Sequence, residues 1–92
     1  MRYFFHLVDG DRDADHEGVD LPNDEAAKAE AVSYAGQLLQ TNPKGLWLHS
    51  QWRVEVTDET GALRWMVLSM AIDAPLPGDQ AEPRGQSAFG GA

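Results

Sequence analysis

Asp9, Asp11, Asp13 and Asp15 stand at alternate positions, the spacing by which a calcium-binding loop offers oxygen ligands to one hard cation. Counted from Asp9, places 1, 3 and 5 of such a loop are Asp9, Asp11 and Asp13, the candidate metal ligands. Asp15, Glu17 and Asp20 take places 7, 9 and 12. The other requirements of the loop are missing. Place 6, where glycine makes the bend, is Ala14, and place 12 is Asp20 rather than a bidentate Glu. Place 8, usually apolar, is His16, and no helix precedes the stretch. A solvated acidic hairpin tip is therefore preferred over a calcium site, and no other cofactor is implied.

The three histidines, His6, His16 and His49, are too far apart in sequence for a metal-binding or base-catalytic spacing. No serine sits in a nucleophile elbow, and the absence of cysteine removes thiolate zinc sites, disulfides and thiol catalysis together. The sequence reads as non-enzymatic.

Charge is unevenly placed. The 92 residues carry a formal charge of −8, from fifteen acids and seven Lys or Arg. Between Asp9 and Glu25 lie eight acids against Arg12 alone, a net −7, so the rest of the chain is nearly neutral. Such acidity argues against direct binding to nucleic acid or an anionic membrane, which needs basic side chains to meet phosphates. The clustered acid suits steering toward a basic partner, or a mimic of nucleic acid, beside the plainer reading of a solvated face. The apolar run Tyr3 to Val8 is too short for a signal-peptide core, and no run is long enough to span a membrane. A cytoplasmic protein is the expectation.

The elements that must position these residues read as follows. Residues 2–8 are aromatic and β-branched and end at Asp9-Gly10, as a strand ends in a turn. Tyr3, Phe5 and Leu7 then face one way, and Phe4, His6 and Val8 the other. Val19 between Gly18 and Asp20 adds a short second strand. Asn23 caps a helix whose first turn holds Asp24 and Glu25, favourable at the positive end of the dipole. Ala27, Ala31, Ala35, Leu38 and Leu39 make its apolar stripe, with Val32 on the margin. Gly36 within it implies close backbone contact or a weak last turn. Pro43 stops the helix and Gly45 turns the chain.

Trp52 to Val56 alternates apolar with polar residues, Asp58-Glu59-Thr60-Gly61 is a type I turn sequence, and Leu63 to Met70 returns. The hairpin register stays open, because a bulge at Gly61 decides which face of the return strand meets Trp52, Val54 and Val56. From Pro75 onward the chain is rich in Pro and Gly, a composition expected to be disordered on its own. We therefore expect one αβ domain over residues 1–74 and a tail over 75–92. The fold class is α+β: a small antiparallel sheet of three to four strands, one helix packed on one face, order β-(β)-α-β-β, and an irregular C-terminal tail.

One helix covers one side of a sheet, yet the first and last strands are apolar on both sides. The other side must meet the tail, the Leu46-Trp47-Leu48 segment, a second copy or another protein. Phe4, His6, Leu63, Trp65 and Val67 are the candidate partner-interface residues. Trp47, Trp52 and Trp65 read as core aromatics ahead of binding anchors.

The opening Arg2-Tyr3-Phe4-Phe5-His6-Leu7 with Asp9-Gly10 resembles a family of short, uncharacterised alphaproteobacterial proteins that begin with an RYFFH motif. Glu17-Gly18-Val19-Asp20-Leu21-Pro22, the Glu25-to-Ala31 helix start and Val54-Glu55-Val56-Thr57-Asp58-Glu59-x-Gly61 continue the likeness over about residues 2–70. The resemblance implies a domain of unknown function, without an activity or catalytic residues. This chain departs from the pattern in its extra Asp between positions 9 and 15 and in its tail. A looser, fold-level likeness runs to antitoxin domains of the HicB type, which also pass from strand through an acidic Asp-Gly turn to strand and helix. The expected function is a small interaction or accessory module that self-associates or docks on a partner protein through an apolar sheet face. The alternatives are calcium binding at Asp9, Asp11 and Asp13, and an antitoxin-like or nucleic-acid-mimicking acidic regulator.

Overall fold

A computed structural model describes residues 1–74; the expectations for the tail lie outside the described residues. The chain forms β1 (Arg2–Val8), β2 (Arg12–Asp13), β3 (Val19–Asp20), α1 (Asp24–Thr41), α2 (Pro43–His49), β4 (Gln51–Thr57) and β5 (Leu63–Met70). All strand pairings are antiparallel. β1 and β4 are central, β5 lies beyond β4, and the far side of β1 is shared by β2 and β3. The fold is α+β, with one more short strand and one more helix than the sequence suggested.

The helix face of the sheet is built from alternate residues of each strand. Phe5 lies opposite Val56 and Leu7 opposite Val54, while Val54 and Val56 in turn face Val67 and Trp65. Tyr3, Phe5, Val54 and Val56 pack with Ala27, Ala31 and Ala35 of α1 into one core, joined at its margin by Leu38, Trp65 and Val67. Alanine at the three buried helix positions lets the backbone of α1 lie close to the sheet. The large side chains come from the strands, and burying each stabilises by roughly 1.5–3 kcal/mol. Val32, expected on the margin, is exposed.

Local signals set the helix ends. The Asn23 side chain accepts from the Ala26 amide at 2.8 Å, as an N-cap should. Pro43 does end α1, but it also opens α2 as its first residue, where its missing N–H costs nothing. Asn42 caps α2 by accepting from the Gly45 amide at 3.2 Å. Gly45 is therefore helical and not the turn expected of it; a Cβ there would lie 2.5 Å from the Trp52 ring. α2 packs on α1 and β4, which leaves Trp47 and Leu48 exposed. The Leu46-Trp47-Leu48 segment thus does not cover the second side of the sheet. The close contact anticipated at Gly36 is absent as well, since a Cβ there would meet nothing within 4 Å.

In the β4–β5 hairpin, Gly61 has φ +87, and the Asp58 carboxylate accepts from the amides of Thr60 and Ala62. The ladder shifts between Val56 and Thr57, so that Val56 faces Trp65 while Thr57 faces Leu63. That shift fixes the face left open by the sequence. Trp65 and Val67 point to the helix, and Met66, Leu68 and Met70 point away from it.

Candidate functional site: the uncovered sheet face and the acidic edge

Two regions hold the residues singled out in the sequence. The first is the edge of the sheet beyond β1. β2 and β3 pair with the two ends of β1, and the chain between them loops out at residues 14–18. Asp15 closes that gap. One carboxylate oxygen accepts from the amides of Glu17 and Gly18 at 3.0 and 3.1 Å. The other accepts from the Phe5 amide of β1 at 3.2 Å. Burial alone would raise this carboxyl, but the amides of Gly18, Glu17 and Phe5 outweigh it and hold Asp15 below the ordinary carboxylate range.

The Asp15 amide donates to Nδ1 of His6 at 3.0 Å, and His6 Nε2 lies 2.9 Å from Thr57 Oγ1. Because Nδ1 is an acceptor, the proton of the neutral ring belongs on Nε2, which donates to the threonine hydroxyl. Burial, helped by the nearby Arg12 charge, lowers the His6 pKa; Asp15 and Glu55 act against it. His6 is a structural residue joining the acidic loop to β4. His16 is exposed, and the His49 ring lies where a Cβ on Gly10 would be, 2.8 Å from its Cε1.

The alternating aspartates do not converge. Asp13 lies opposite Leu7 on the helix side, beside an open cleft of about 300 Å³ that it shares with Phe5, Asp15, Glu30 and Tyr34. Asp15 is already occupied by three amides, and Asp9 donates its own amide to the Asp11 carbonyl in the turn. Among the described residues, no group of three or more His, Cys, Asp or Glu is placed to hold a metal ion. Elsewhere in the acidic segment, Asp20 pairs with Arg2 at 3.3 Å and Asp24 with Arg64 at 2.8 Å. Asp24 also accepts from the Tyr3 hydroxyl at 2.7 Å.

The second region is the side of the sheet turned away from α1. It has two halves. Over β1 and β4 it is ion-paired: Glu55, its side chain only 14% exposed, accepts from Arg53 Nε at 2.8 Å and from Arg12 Nε at 3.3 Å. These pairs hold the Glu55 carboxyl below its usual range, the Arg53 hydrogen bond foremost. Over β5 the surface is apolar and open. Met66, Leu68 and Met70 lie opposite Glu55, Arg53 and Gln51 and are 46%, 50% and 54% exposed. Ile72, just past the strand, is 74% exposed.

Of the interface residues expected from the sequence, Phe4 and His6 lie on this uncovered side. Trp65 and Val67 do not: the register places them under α1, where Trp65 packs 6.0 Å from the Tyr3 ring, with Lys28 and Arg64 over its faces. Leu63 sits at the ladder shift, half exposed. The exposed set is instead Met66, Leu68, Met70 and Ile72. Two-sided apolarity of β5 was visible in the sequence, but its orientation depended on the bulge.

No helix among the described residues is long and apolar enough to cross a membrane. The molecule so defined is a small α+β sheet-and-helix unit. Over residues 2–73 it matches the model of a family described as a domain of unknown function, DUF6894, and the chain belongs to that family. No curated protein and no solved structure matches it significantly.

Proposed function

We propose that the chain is a non-enzymatic protein-interaction module, and that its contact surface is the β5 half of the uncovered sheet face. The observation that carries this reading is the row Met66, Leu68 and Met70, each about half exposed, with Ile72 beside it. Contiguous apolar surface of this kind is uncommon on monomers that meet no partner, because each exposed apolar side chain forgoes the gain of leaving water. Methionine favours such a surface further, since its unbranched, polarizable side chain adapts to a partner's shape. The RYFFH opening agrees with an alphaproteobacterial source, and a cytoplasmic location goes with the reading.

A hydrophobic fluorescent dye tests it with purified protein. The chain should enhance dye emission several-fold, and a Met66→Lys/Leu68→Lys variant with unchanged circular dichroism should lose most of that enhancement. Equal, weak emission from both proteins would remove the basis of the reading. The calcium and nucleic-acid-mimic alternatives gain no comparable support, because the alternate aspartates are divided between a hydrogen-bonded knot, a turn and the helix side of the sheet.

A further inference from the structure

Resting on that reading, we infer that the occupant of this surface is a second copy of the chain, joined by antiparallel pairing of β5 with β5 across a two-fold axis. The two edges of the sheet are unlike. The β1 side is interrupted between β2 and β3, carries the acids from Asp9 to Asp20 and is knotted by Asp15, all features that keep another strand from adding. β5 has none of them. Past the ladder shift at its start it is a regular run of six residues, Trp65 to Met70, without proline, and among the described residues it has a neighbour only on its β4 side. Its single charge, Arg64, is drawn off to Asp24 and Asp58 at 2.8 and 3.6 Å. The backbone donors and acceptors along its outer side form a template for another strand.

The sequence of β5 is its own complement. In an antiparallel pair, opposed residues share a face. A two-fold centred at Leu68 therefore sets Leu68 opposite its own copy and Met66 opposite Met70 of the other chain. Cross-strand contacts between them bury part of the exposed row without burying a charge. Net charge favours the same arrangement. The acids from Asp9 to Asp20, six against Arg12, then lie toward opposite ends of the joined sheet, where β2 and its copy are seven strand spacings or roughly 34 Å apart at ~4.8 Å each, well beyond the ~8 Å over which salt screens charges. Stacking the two uncovered faces instead would bury the Arg12–Glu55–Arg53 group, whose desolvation opposes association.

Amide hydrogen exchange of the full chain, followed residue by residue at two concentrations twenty-fold apart and paired with sedimentation, distinguishes the occupants. In a β4–β5 hairpin alone, every second β5 amide points outward and exchanges freely. We expect the concentrated sample to sediment at twice the 10.1 kDa chain mass and to protect those outward amides at least ten-fold. Dilution should release them while the inward set stays protected. Outward amides that exchange freely at both concentrations would overturn the inference, as would protection that ignores concentration in a monomer. If the dye still binds in either case, the interaction reading stands with another occupant; if it does not, both fall.

Discussion

The backbone amide of Asp15 donates to Nδ1 of His6 at 3.0 Å, so an acidic loop between two short strands is held by a neutral, buried imidazole. Protonating His6 removes the acceptor and leaves that amide without it. The ring's pKa is lowered in the fold from 6.5, by burial first and then by Arg12, against the opposing pull of Asp15 and Glu55. Below pH 6.5 the unfolded chain therefore binds a proton that the folded chain refuses. Stability from this group is fully present above pH 6.5 and is lost as pH falls toward the folded pKa. Melting temperature should drop between pH 7.5 and 5.5. The drop should be smaller in His6→Gln, whose side chain is polar but does not titrate. Asp15, Glu55 and Asp58 act in a lower window: their pKa values are depressed from 3.8, 4.5 and 3.8, so their contribution disappears as pH falls below those values.

The acids of the segment should separate into two kinds under mutation. Asp15→Ala removes the acceptor of three amides, those of Phe5, Glu17 and Gly18, and should cost about 2 kcal/mol in denaturant unfolding. Asp11→Asn changes an exposed side chain and should stay within about 0.5 kcal/mol of the parent. Equal effects would contradict the distinct role assigned to Asp15.

Calcium gives a related expectation. A calcium site gathers six to eight oxygens around one point, whereas Asp13 lies toward α1 and Asp15 is turned onto backbone amides. Calorimetric titration to millimolar calcium should show no saturable heat. A stoichiometric isotherm abolished by Asp9→Asn and Asp11→Asn would refute this.

Gly36 offers a stabilising change. It lies within α1, is exposed, and has open space where a Cβ would be. Gly36→Ala should raise stability by about 0.5–1 kcal/mol, read as a higher unfolding midpoint with an unchanged denaturant slope. Gly18 behaves oppositely, with φ +74 and a would-be Cβ 2.9 Å from the Tyr3 carbonyl.

Much of this was legible in the sequence because the deciding signals are local. Asn23 before an acidic first turn marks a helix start, alternation marks β1 and β4, and the turn at Asp58–Gly61 makes a hairpin. Three features were not legible. α2 hides behind Pro43, which ends one helix and begins another in the same residue. The role of Asp15 depends on a gap in pairing along β1, which exists only once the sheet is assembled. The face carried by Trp65 and Val67 turns on a ladder shift between Val56 and Thr57, and a one-residue shift exchanges every side chain of β5 between core and surface. Hence the apolar character of β5 was visible, and the residues available to a partner were not.

The claim that the β5 side of the sheet is where this chain meets another protein is tested most directly by paired affinity purification from the native host. Tagged parent and tagged Leu68→Lys, matched in melting temperature, would each be recovered and the bound proteins quantified. We expect the parent to bring down a near-stoichiometric protein, the untagged copy of this chain foremost, and Leu68→Lys to lose it at least ten-fold. Recovery of the same proteins in the same amounts by both would contradict the claim.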